Sequence, residues 1–236
     1  MLKIDYVLCR AGTMDNYSYI ITDTDTKISA IIDPSEIAPI VKKCDELGIA
    51  PQYILNTHHH FDHTDGNLEL AKKYNAKIVC NKTDKHRIEG AEIFVEDGGV
   101  FALGNSIAKI IDVSAHTKGH IVFYFEKDKA IFTGDTLFNL CIGGLFEGTS
   151  KQMFEALSKI KSLPDDVLFY PGHEYTFHAA NFAHHHNQGN ENIIKYLTKA
   201  KHNLDTTGHV FPITLGEEKL CNPYLMATTL EEFTNL

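Results

Sequence analysis

The most informative stretch of the sequence is Thr57-His58-His59-His60-Phe61-Asp62-His63, which places four histidines and one aspartate within seven residues. It directly follows Gln52-Tyr53-Ile54-Leu55-Asn56, a short apolar run typical of a buried strand. Successive side chains of an extended chain point to opposite faces, so His58 and His60 share a face and can reach one cation, while His59 points away. Asp62 and His63 follow where a turn would direct them to a neighbouring point. The pattern predicts a metal site.

One segment cannot complete the coordination of two metal ions, so further ligands are expected elsewhere in the chain. Three later residues each lie at a predicted junction of strand and loop, close to a glycine. They are His116 in Ala115-His116-Thr117-Lys118-Gly119-His120, Asp135 in Gly134-Asp135-Thr136, and His173 in Gly172-His173-Glu174. Histidine nitrogen and carboxylate oxygen are ligands of zinc-type sites, whose catalytic forms leave one position for water.

The composition narrows the class of partner. The 236 residues are enough to bury one large core, or a main core with a smaller appendage. A formal net charge of -9 argues against a nucleic-acid partner and against an anionic membrane surface, because both favour a basic face. The 14 histidines are the anomaly, and histidine is the commonest metal-binding side chain.

The cysteine pattern indicates a reducing compartment. Five cysteines are scattered singly, at Cys9, Cys44, Cys80, Cys141 and Cys221. An odd and dispersed set without a Cys-x-x-Cys pair is typical neither of a disulfide framework nor of a thiolate zinc site. The first residues show no leader pattern, and no apolar run reaches the length of a membrane span. The sequence therefore predicts a cytoplasmic protein.

Hydrophobic periodicity predicts an α/β domain followed by helices. Strands are predicted over 17–21, 28–32, 52–56, 77–80, 100–103, 107–113, 121–125, 130–132 and 167–169. Helices are predicted over 35–47, with Ser35 as N-cap and Gly48 as the stop, and over 66–74 and 151–160. After Tyr175 the pattern becomes helical, at 181–186, 191–200 and 230–233. We expect a catalytic domain over residues 1–175 and a helical domain over residues 176–236.

Four motifs taken in order resemble those of a known superfamily. They are Thr-His-x-His-x-Asp-His, His-Thr-x-Gly-His, Gly-Asp-Thr-Leu-Phe and Gly-His-Glu-Tyr-Thr. This set is similar to the metallo-β-lactamase superfamily and, more narrowly, to glyoxalase II, the hydroxyacylglutathione hydrolases. The likeness runs from Asp15-Asn16-Tyr17 to Asn222-Pro223-Tyr224, nearly the whole chain. It implies an αββα sandwich with a small C-terminal helical domain that binds substrate.

The resemblance also implies two divalent metal ions and their ligands. The implied ligands are His58, His60 and His116 for the first ion, Asp62, His63 and His173 for the second, and Asp135 as a bridge between them. Asp33, before Pro34, matches a carboxylate that orients a ligand histidine through its other ring nitrogen, although a plain turn residue fits equally well. His120 is a candidate for a similar supporting role. Zinc is the metal we expect first, with iron and manganese as alternatives for these donors.

The implied reaction is cleavage of the thioester in S-2-hydroxyacylglutathione, such as S-lactoylglutathione, to a 2-hydroxy acid and glutathione during methylglyoxal detoxification. Two cations roughly 3.5–4 Å apart can share a water whose pKa falls to about 7, so a metal-bridging hydroxide would attack the carbonyl. Asp62 is the candidate proton acceptor. The leaving group's thiol has a pKa of about 8.5, so its thiolate needs little help from an acid, and motifs without a dedicated acid fit a thioester better than an amide.

The chain departs from the glyoxalase II pattern where that family grips the glutathione carboxylate. Tyr175 and Phe146 match positions that contact substrate, but Gly144 stands where the family commonly has lysine or arginine. The C-terminal end has Glu231 and Glu232 and lacks the family's basic pair. Each missing charged hydrogen bond is worth about 1.5–3 kcal/mol, so we expect weaker glutathione recognition.

Other functions stay open from the sequence. One is a persulfide dioxygenase of the same fold with a single iron, a group that typically lacks the helical appendage and the Gly-His-Glu-Tyr-Thr form. Another is a metal-binding relative that has lost glutathione recognition. Lactonase or β-lactamase activity has only the fold in its favour. No metal is assigned to His184-His185-His186, because consecutive helical residues fan about 100° apart.

Overall fold

The computed structural model describes all 236 residues, Met1–Leu236, and contains two main β-sheets. The first sheet has the order β1 (Leu2–Cys9), β2 (Asn16–Asp23), β3 (Ser29–Ile32), β4 (Tyr53–Leu55), β5 (Lys77–Asn81) and β6 (Ala91–Val95). The second has the order β13 (Leu168–Pro171), β10 (Ala130–Gly134), β9 (Ile121–Phe125), β8 (Ser106–Asp112) and β7 (Val100–Leu103). A separate hairpin pairs β11 (Leu137–Phe138) with β12 (Cys141–Ile142).

Helices cover the outer faces of both sheets. They are α1 (Ile37–Leu47), α2 (Phe61–Thr64), α3 (Asn67–Tyr74), α4 (Ser150–Lys161), α5 (Thr176–His186), α6 (Glu191–Thr207), α7 (Leu215–Cys221), α8 (Pro223–Met226) and α9 (Leu230–Thr234). None of them combines the length and the apolar character that crossing a membrane requires.

Strand direction decides where loops meet. β1, β2 and β3 are antiparallel, whereas β3, β4, β5 and β6 run parallel. Parallel neighbours need a crossover connection, and α1 and α3 provide it for β3–β4 and β4–β5. In the second sheet β10 and β13 are also parallel. The carboxyl ends of β3 and β4, and those of β10 and β13, therefore each lie at one edge of their sheet.

Alternating side chains in the strands build two cores from one sheet. In β9, Ile121, Phe123 and Phe125 pack against the first sheet, while Val122 and Tyr124 join the core under the helices. This period of two is the pattern expected for a strand buried on both faces of its sheet. A third core forms where α1 and α3 cover the opposite face of the first sheet. The predicted αββα sandwich is confirmed.

The C-terminal helices share a core with the second sheet. Ile193 of α6 and Leu215 of α7 belong to the same buried cluster as Met153 and Leu157 of α4. No strand follows β13, and α5 begins at Thr176. The helical region therefore packs on the sandwich through apolar contacts, and this packing holds its helices beside the loops that follow β10 and β13.

A buried carboxylate ties these helices to the β11–β12 hairpin. Glu218 accepts hydrogen bonds from the Tyr196 hydroxyl at 2.6 Å, from Asn222 Nδ2 at 2.9 Å and from the Leu140 backbone N–H. Burial raises the pKa of Glu218 to about 7. Because all three donors are themselves buried, the polar network fixes the hairpin, and with it Phe138, against the helical region.

Some predicted local features differ from the structure. Ser35 does not cap α1, whose N-cap is Glu36, because the Ser35 hydroxyl accepts a hydrogen bond from Arg10 Nε at 2.8 Å. Strand β6 was not predicted, since it lies at the edge of its sheet and exposes Glu92 and Phe94. The short elements α2, α7, α8, β11 and β12 were also missed, as two to seven residues carry too little periodicity.

Candidate metal centre

The candidate ligands lie at one edge of the sandwich, where strands of both sheets end. The Thr57–His63 segment follows β4, and its last residues form α2, which turns Asp62 and His63 inward. Asp135 directly follows β10, and His173 follows β13 after one residue. His116 lies in the loop from β8 to β9. Four separate segments therefore meet at this edge.

The first group consists of His58, His60, His116 and Asp135, whose donor atoms all lie within 4.8 Å of one another. His60 Nδ1 is 3.0 Å from His116 Nε2. Asp135 Oδ2 lies 3.5 Å from His116 Nε2 and 4.0 Å from His58 Nε2. The structure thus brings together the four side chains predicted for the first ion.

The second group consists of Asp62, His63 and His173. Asp62 Oδ2 lies 3.4 Å from His63 Nε2 and 3.3 Å from His173 Nε2, and the two nitrogens are 3.3 Å apart. Asp135 also reaches this group, with Oδ1 3.2 Å from His63 Nε2 and Oδ2 3.3 Å from His173 Nε2. One carboxylate therefore lies between the two groups.

Hydrogen bonds on the far side of the rings decide which nitrogen faces the centre as an acceptor. His116 Nδ1 lies 2.7 Å from the Gly144 carbonyl oxygen, and His173 Nδ1 lies 2.7 Å from the Met14 carbonyl oxygen. A carbonyl oxygen only accepts, so both Nδ1 atoms carry a proton. In the neutral rings, the form that binds a metal, both Nε2 atoms then present a lone pair to the centre. The centre is consequently lined by acceptors.

This donor set fits a cation. His58 Nε2 and Asp135 Oδ1 are buried atoms without a hydrogen-bond partner. Leaving a buried acceptor unpaired costs about 1–3 kcal/mol, and here several lone pairs converge at contact distance. A positive ion at the convergence would satisfy them together, as buried charges in proteins are satisfied by pairing or by metal coordination.

The electrostatics of the centre show which charge it attracts. Burial opposes charge on His63 and His173, but attraction to Asp135 and hydrogen bonds with the surrounding carboxylates together outweigh it. They raise the pKa of His63 well above its usual value and that of His173 to about 9. Burial lowers the pKa of His60 to about 4. The carboxylates therefore favour positive charge at the second group, and the same attraction acts on a divalent cation.

Asp33 orients two of the candidate ligands. Its Oδ1 accepts the Thr57 N–H at 2.8 Å, and its Oδ2 accepts the Thr57 hydroxyl at 2.6 Å. Its Oδ2 also lies 3.1 Å from His63 Nδ1, and the Thr57 oxygen lies 3.0 Å from His58 Nδ1. Asp33 is 3% exposed, so its carboxylate acts within the protein interior and not as a plain surface turn.

His120 and two glycines fix Asp135 from behind. The Asp135 backbone N–H donates to His120 Nε2 at 3.0 Å, and the His120 ring stacks on His58 with centroids 4.7 Å apart. Gly134 has φ +48°, and a Cβ there would lie 2.4 Å from Thr57 Oγ1. A Cβ on Gly172 would lie 2.3 Å from Asp135 Oδ1. Only glycine lets these backbones approach so closely.

A cavity of about 400 Å³ opens beside the candidate ligands. Its wall includes Phe138, Gly144, Phe146 and Tyr175, and no lysine or arginine lines it. Phe146 is 72% exposed and meets the His60 and His116 rings edge-on, with centroids 5.3 and 5.1 Å away. The Tyr175 ring stacks on His173 at 4.9 Å. A substrate in this cavity would contact aromatic rings on one side and the acceptor cluster on the other.

Sequence reasoning did not single out Asn16. Its Nδ2 donates to Asp62 Oδ2 at 2.9 Å and to the Asp62 carbonyl at 3.1 Å, and so holds that carboxylate in place. Local sequence gave no signal for this role, because Asn16 begins β2 while its partner Asp62 lies 46 residues further along the chain. His59 lies outside both groups, with Nδ1 3.7 Å from Asp84 Oδ2, and His184-His185-His186 is exposed on α5.

Comparisons with known proteins agree with the geometry. A family model described as the metallo-beta-lactamase superfamily matches residues 12–173, and one described as the hydroxyacylglutathione hydrolase C-terminus matches residues 174–235. The hydroxyacylglutathione hydrolase of Pelagibacter ubique is 43% identical over 235 residues, which cover 100% of this chain and 97% of that protein. This chain belongs to the hydroxyacylglutathione hydrolase family.

Further matches agree with that family and its fold. The hydroxyacylglutathione hydrolase of Methylococcus capsulatus is 37% identical over 211 residues, covering 89% of this chain and 82% of that protein. The crystal structure of ETHE1 from Myxococcus xanthus has a TM-score of 0.73 at 22% identity, covering 99% of this chain and 88% of that one. The latter likeness concerns the fold alone. The resemblance inferred from the four motifs is confirmed.

We predict that Asp33→Asn weakens metal binding about 10–100-fold, the usual effect of removing a partner that orients a ligand histidine. The substitution replaces the anionic acceptor of His63 and Thr57 with a neutral amide of the same shape. Metal affinity is measured by competition of the purified protein with a colour-forming chelator.

The matched control is Asp23→Asn. Asp23 is another fully buried carboxylate. It lies at the end of β2 away from Asn16 and the candidate ligands, and it accepts hydrogen bonds from Thr26 and Ser106. This variant should lose stability and keep the parent metal affinity. Equal metal affinity in Asp33→Asn and the parent would contradict the role given to Asp33.

Proposed function

We propose that this protein is a dinuclear metallohydrolase that cleaves the thioester of S-2-hydroxyacylglutathione, such as S-lactoylglutathione. The observation that carries the proposal is the pair of acceptor groups that share Asp135 beside an aromatic cavity. Membership of the hydroxyacylglutathione hydrolase family supports the choice of substrate. Two groups rather than one favour this reaction over a dioxygenase with a single iron.

The proposed ligands are those the geometry groups together. His58, His60 and His116 would hold the first divalent ion, Asp62, His63 and His173 the second, and Asp135 both. When bound, such a pair of ions lowers the pKa of a shared water and draws electron density from a substrate carbonyl. Nitrogen and oxygen donors suit zinc, which we propose first, as well as iron and manganese.

The side chains around the centre then bind and orient the substrate. Burial raises the pKa of Tyr175 to about 12, so its hydroxyl stays protonated at neutral pH and can donate a hydrogen bond. Although Asp62 is buried, hydrogen bonds with His173 and His63 hold its pKa well below the usual value. It is therefore an anion at neutral pH, as a metal ligand must be, and Asn16 Nδ2 fixes one of its oxygens at 2.9 Å. Because so low a pKa makes it a weak base, the part we propose for it in proton transfer is that of a hydrogen-bond acceptor.

The cavity suits a thioester more than an amide. A leaving thiolate, whose thiol has a pKa of about 8.5, departs without a proton donor, whereas an amine needs one. Beyond the Tyr175 hydroxyl and the candidate ligands, the cavity wall is made of apolar side chains and glycines. Phe138 and Phe146 give the acyl group and the thiol portion apolar surfaces to pack on.

The proposal extends to organisation and location. We propose a catalytic domain over residues 1–175 and a substrate-binding helical domain over residues 176–236, supported by α5, which begins directly after Tyr175 of the cavity wall. We also propose the cytoplasm as its location. All five cysteines are free, and four of them are buried, as is usual where thiols stay reduced.

Turnover of S-lactoylglutathione by the zinc-loaded enzyme, followed as thiol release, tests the function. The expected result is hydrolysis with about two metal ions per chain, loss of activity on chelation, and recovery when zinc is returned. His173→Ala should lower kcat/KM at least about 100-fold, since loss of a ligand costs more than loss of an orienting partner.

His184→Ala is the control, because His184 is exposed on α5 outside both groups and its loss should leave kcat/KM unchanged. A protein that binds two metal ions and releases no thiol would exclude this substrate. One tightly bound iron per chain and oxygen consumption with a persulfide would favour the dioxygenase instead.

We further predict that Gly144→Lys improves recognition of glutathione. A Cβ at Gly144 meets only Phe146 carbons, at 3.4 Å or more, so the cavity wall accepts a side chain there. One new charged hydrogen bond to the glutathione carboxylate is worth about 1.5–3 kcal/mol, which lowers KM roughly 10-fold or more. KM is measured for S-lactoylglutathione and for the same thioester with its glycine carboxylate esterified.

Gly144→Met controls for size without charge and should not lower KM. The lysine variant should show no gain with the esterified substrate, which offers no anion at that end. Equal KM values for the lysine and methionine variants would show that the substrate carboxylate does not approach Gly144.

A further inference from the structure

A second cluster of charged side chains lies beside the centre, and the reaction described above does not use it. It consists of Asp84, Arg87, Glu147 and His59. Asp84 and Arg87 belong to the connection from β5 to β6, and Glu147 lies between β12 and α4. His59 is the one histidine of the ligand segment that faces this cluster.

Arg87 joins two carboxylates that are distant in sequence. Its Nη1 donates to both Glu147 oxygens, at 2.8 and 2.9 Å, and its Nη2 donates to Asp84 Oδ1. Asp84 is fully buried, and the Arg87 and Glu147 side chains are each 29% exposed. A planar guanidinium holds two partners in fixed directions, which an ammonium cannot do.

Glu147 connects Arg87 to the loop of His116. Its Oε2 accepts the Lys118 backbone N–H at 2.7 Å, two residues beyond His116. Next to Glu147, the Phe146 N–H donates to the His116 carbonyl at 3.3 Å. The Gly144 carbonyl accepts from His116 Nδ1 in the same loop. The position of Glu147 therefore affects both a candidate ligand and the Phe146 wall of the cavity.

Asp84 packs against the same loop, the one that carries His116. A Cβ on Gly119 would lie 2.1 Å from Asp84 Oδ1, so the carboxylate lies directly against the Gly119 backbone. His59 lies close to both Asp84 and Arg87, with Nδ1 3.7 Å from Asp84 Oδ2 and Nε2 3.4 Å from Arg87 Nη1. His59 lies between the candidate ligands His58 and His60 in the chain, so the cluster contacts the ligand segment through the His59 side chain and the His116 loop through Lys118 and Gly119.

The second group is held by different residues. Asp62 is fixed by Asn16, His63 by Asp33, and His173 by the Met14 carbonyl. Neither Arg87 nor its two carboxylate partners, Asp84 and Glu147, contribute to any of these three contacts. A disturbance at Arg87 should consequently reach the first group and leave the second in place.

We propose that Arg87 is a positioning residue for one half of the metal centre. By holding Asp84 and Glu147 together, it sets the position of the loops that carry His60 and His116, and of Phe146 above them. The proposal rests on the ligand assignment of the proposed function, and it does not depend on the identity of the substrate.

The test compares zinc binding by Arg87→Gln and by the parent full-length protein, in competition with a chelator. One of two zinc ions should bind about 10–100-fold more weakly, and the other should keep its affinity. Arg87→Lys should restore part of the loss, because an ammonium pairs with one carboxylate and not with both. At saturating zinc, KM for the thioester should rise more than kcat falls, since the Phe146 wall moves while the ligands remain.

Two further variants keep the outcome clear. Glu147→Gln keeps the shape and removes the charge from the other end of the pair, so it should cause the same loss at one ion even if Arg87→Gln folds poorly. Lys109→Gln removes a cation of β8 that forms an exposed pair with Glu126, just after β9, and should change nothing. Unchanged zinc affinity in both Arg87→Gln and Glu147→Gln, or equal loss at both ions, would overturn the proposal. Absence of thioester turnover would not affect this zinc readout.

Discussion

Seven acceptor side chains converge at one edge of the sandwich, and their mutual repulsion is the constraint on which the rest of the site depends. Lone pairs on His116 and His173 face the centre because backbone carbonyls take the opposite ring protons. Buried acceptors without donors are costly, so the arrangement persists only with positive charge among them. Asp33, Asn16 and His120 oppose this repulsion through hydrogen bonds to the candidate ligands. They hold rings and carboxylates in orientations that would otherwise relax apart.

The scaffold supplies the convergence through strand direction. Parallel neighbours end at the same edge of a sheet, so the residues after β3 and β4 meet, as do those after β10 and β13. Packing of the two sheets through Tyr19 and Phe132, whose ring centroids are 5.3 Å apart, then brings both edges together. Glycines next to Asp135 and His173 allow backbone approaches that any Cβ would block. The family's helical region packs on the same sheet and places Tyr175 and Phe138 at the cavity wall.

Much of this could be read from the sequence, for identifiable reasons. The strand before His58 and the spacing of His58 and His60 carry a period of two, which local sequence expresses directly. The two-sheet sandwich and the family followed from four ordered motifs, and family models and relatives bear both out. Asn16 and the Arg87 cluster could not be found in this way, because their partners are distant in sequence. Ser35 was wrongly taken as the cap of α1, since its bond to Arg10 is a tertiary contact.

The central claim is that one carboxylate, Asp135, lies between two metal ions. Anomalous diffraction from crystals of the zinc-loaded protein measures this most directly. We expect two peaks roughly 3.5–4 Å apart, the spacing of ions that act on a shared water, with Asp135 within bonding distance of both. A single peak at His58, His60 and His116, with no ion at Asp62, His63 and His173 under saturating zinc, would contradict the account.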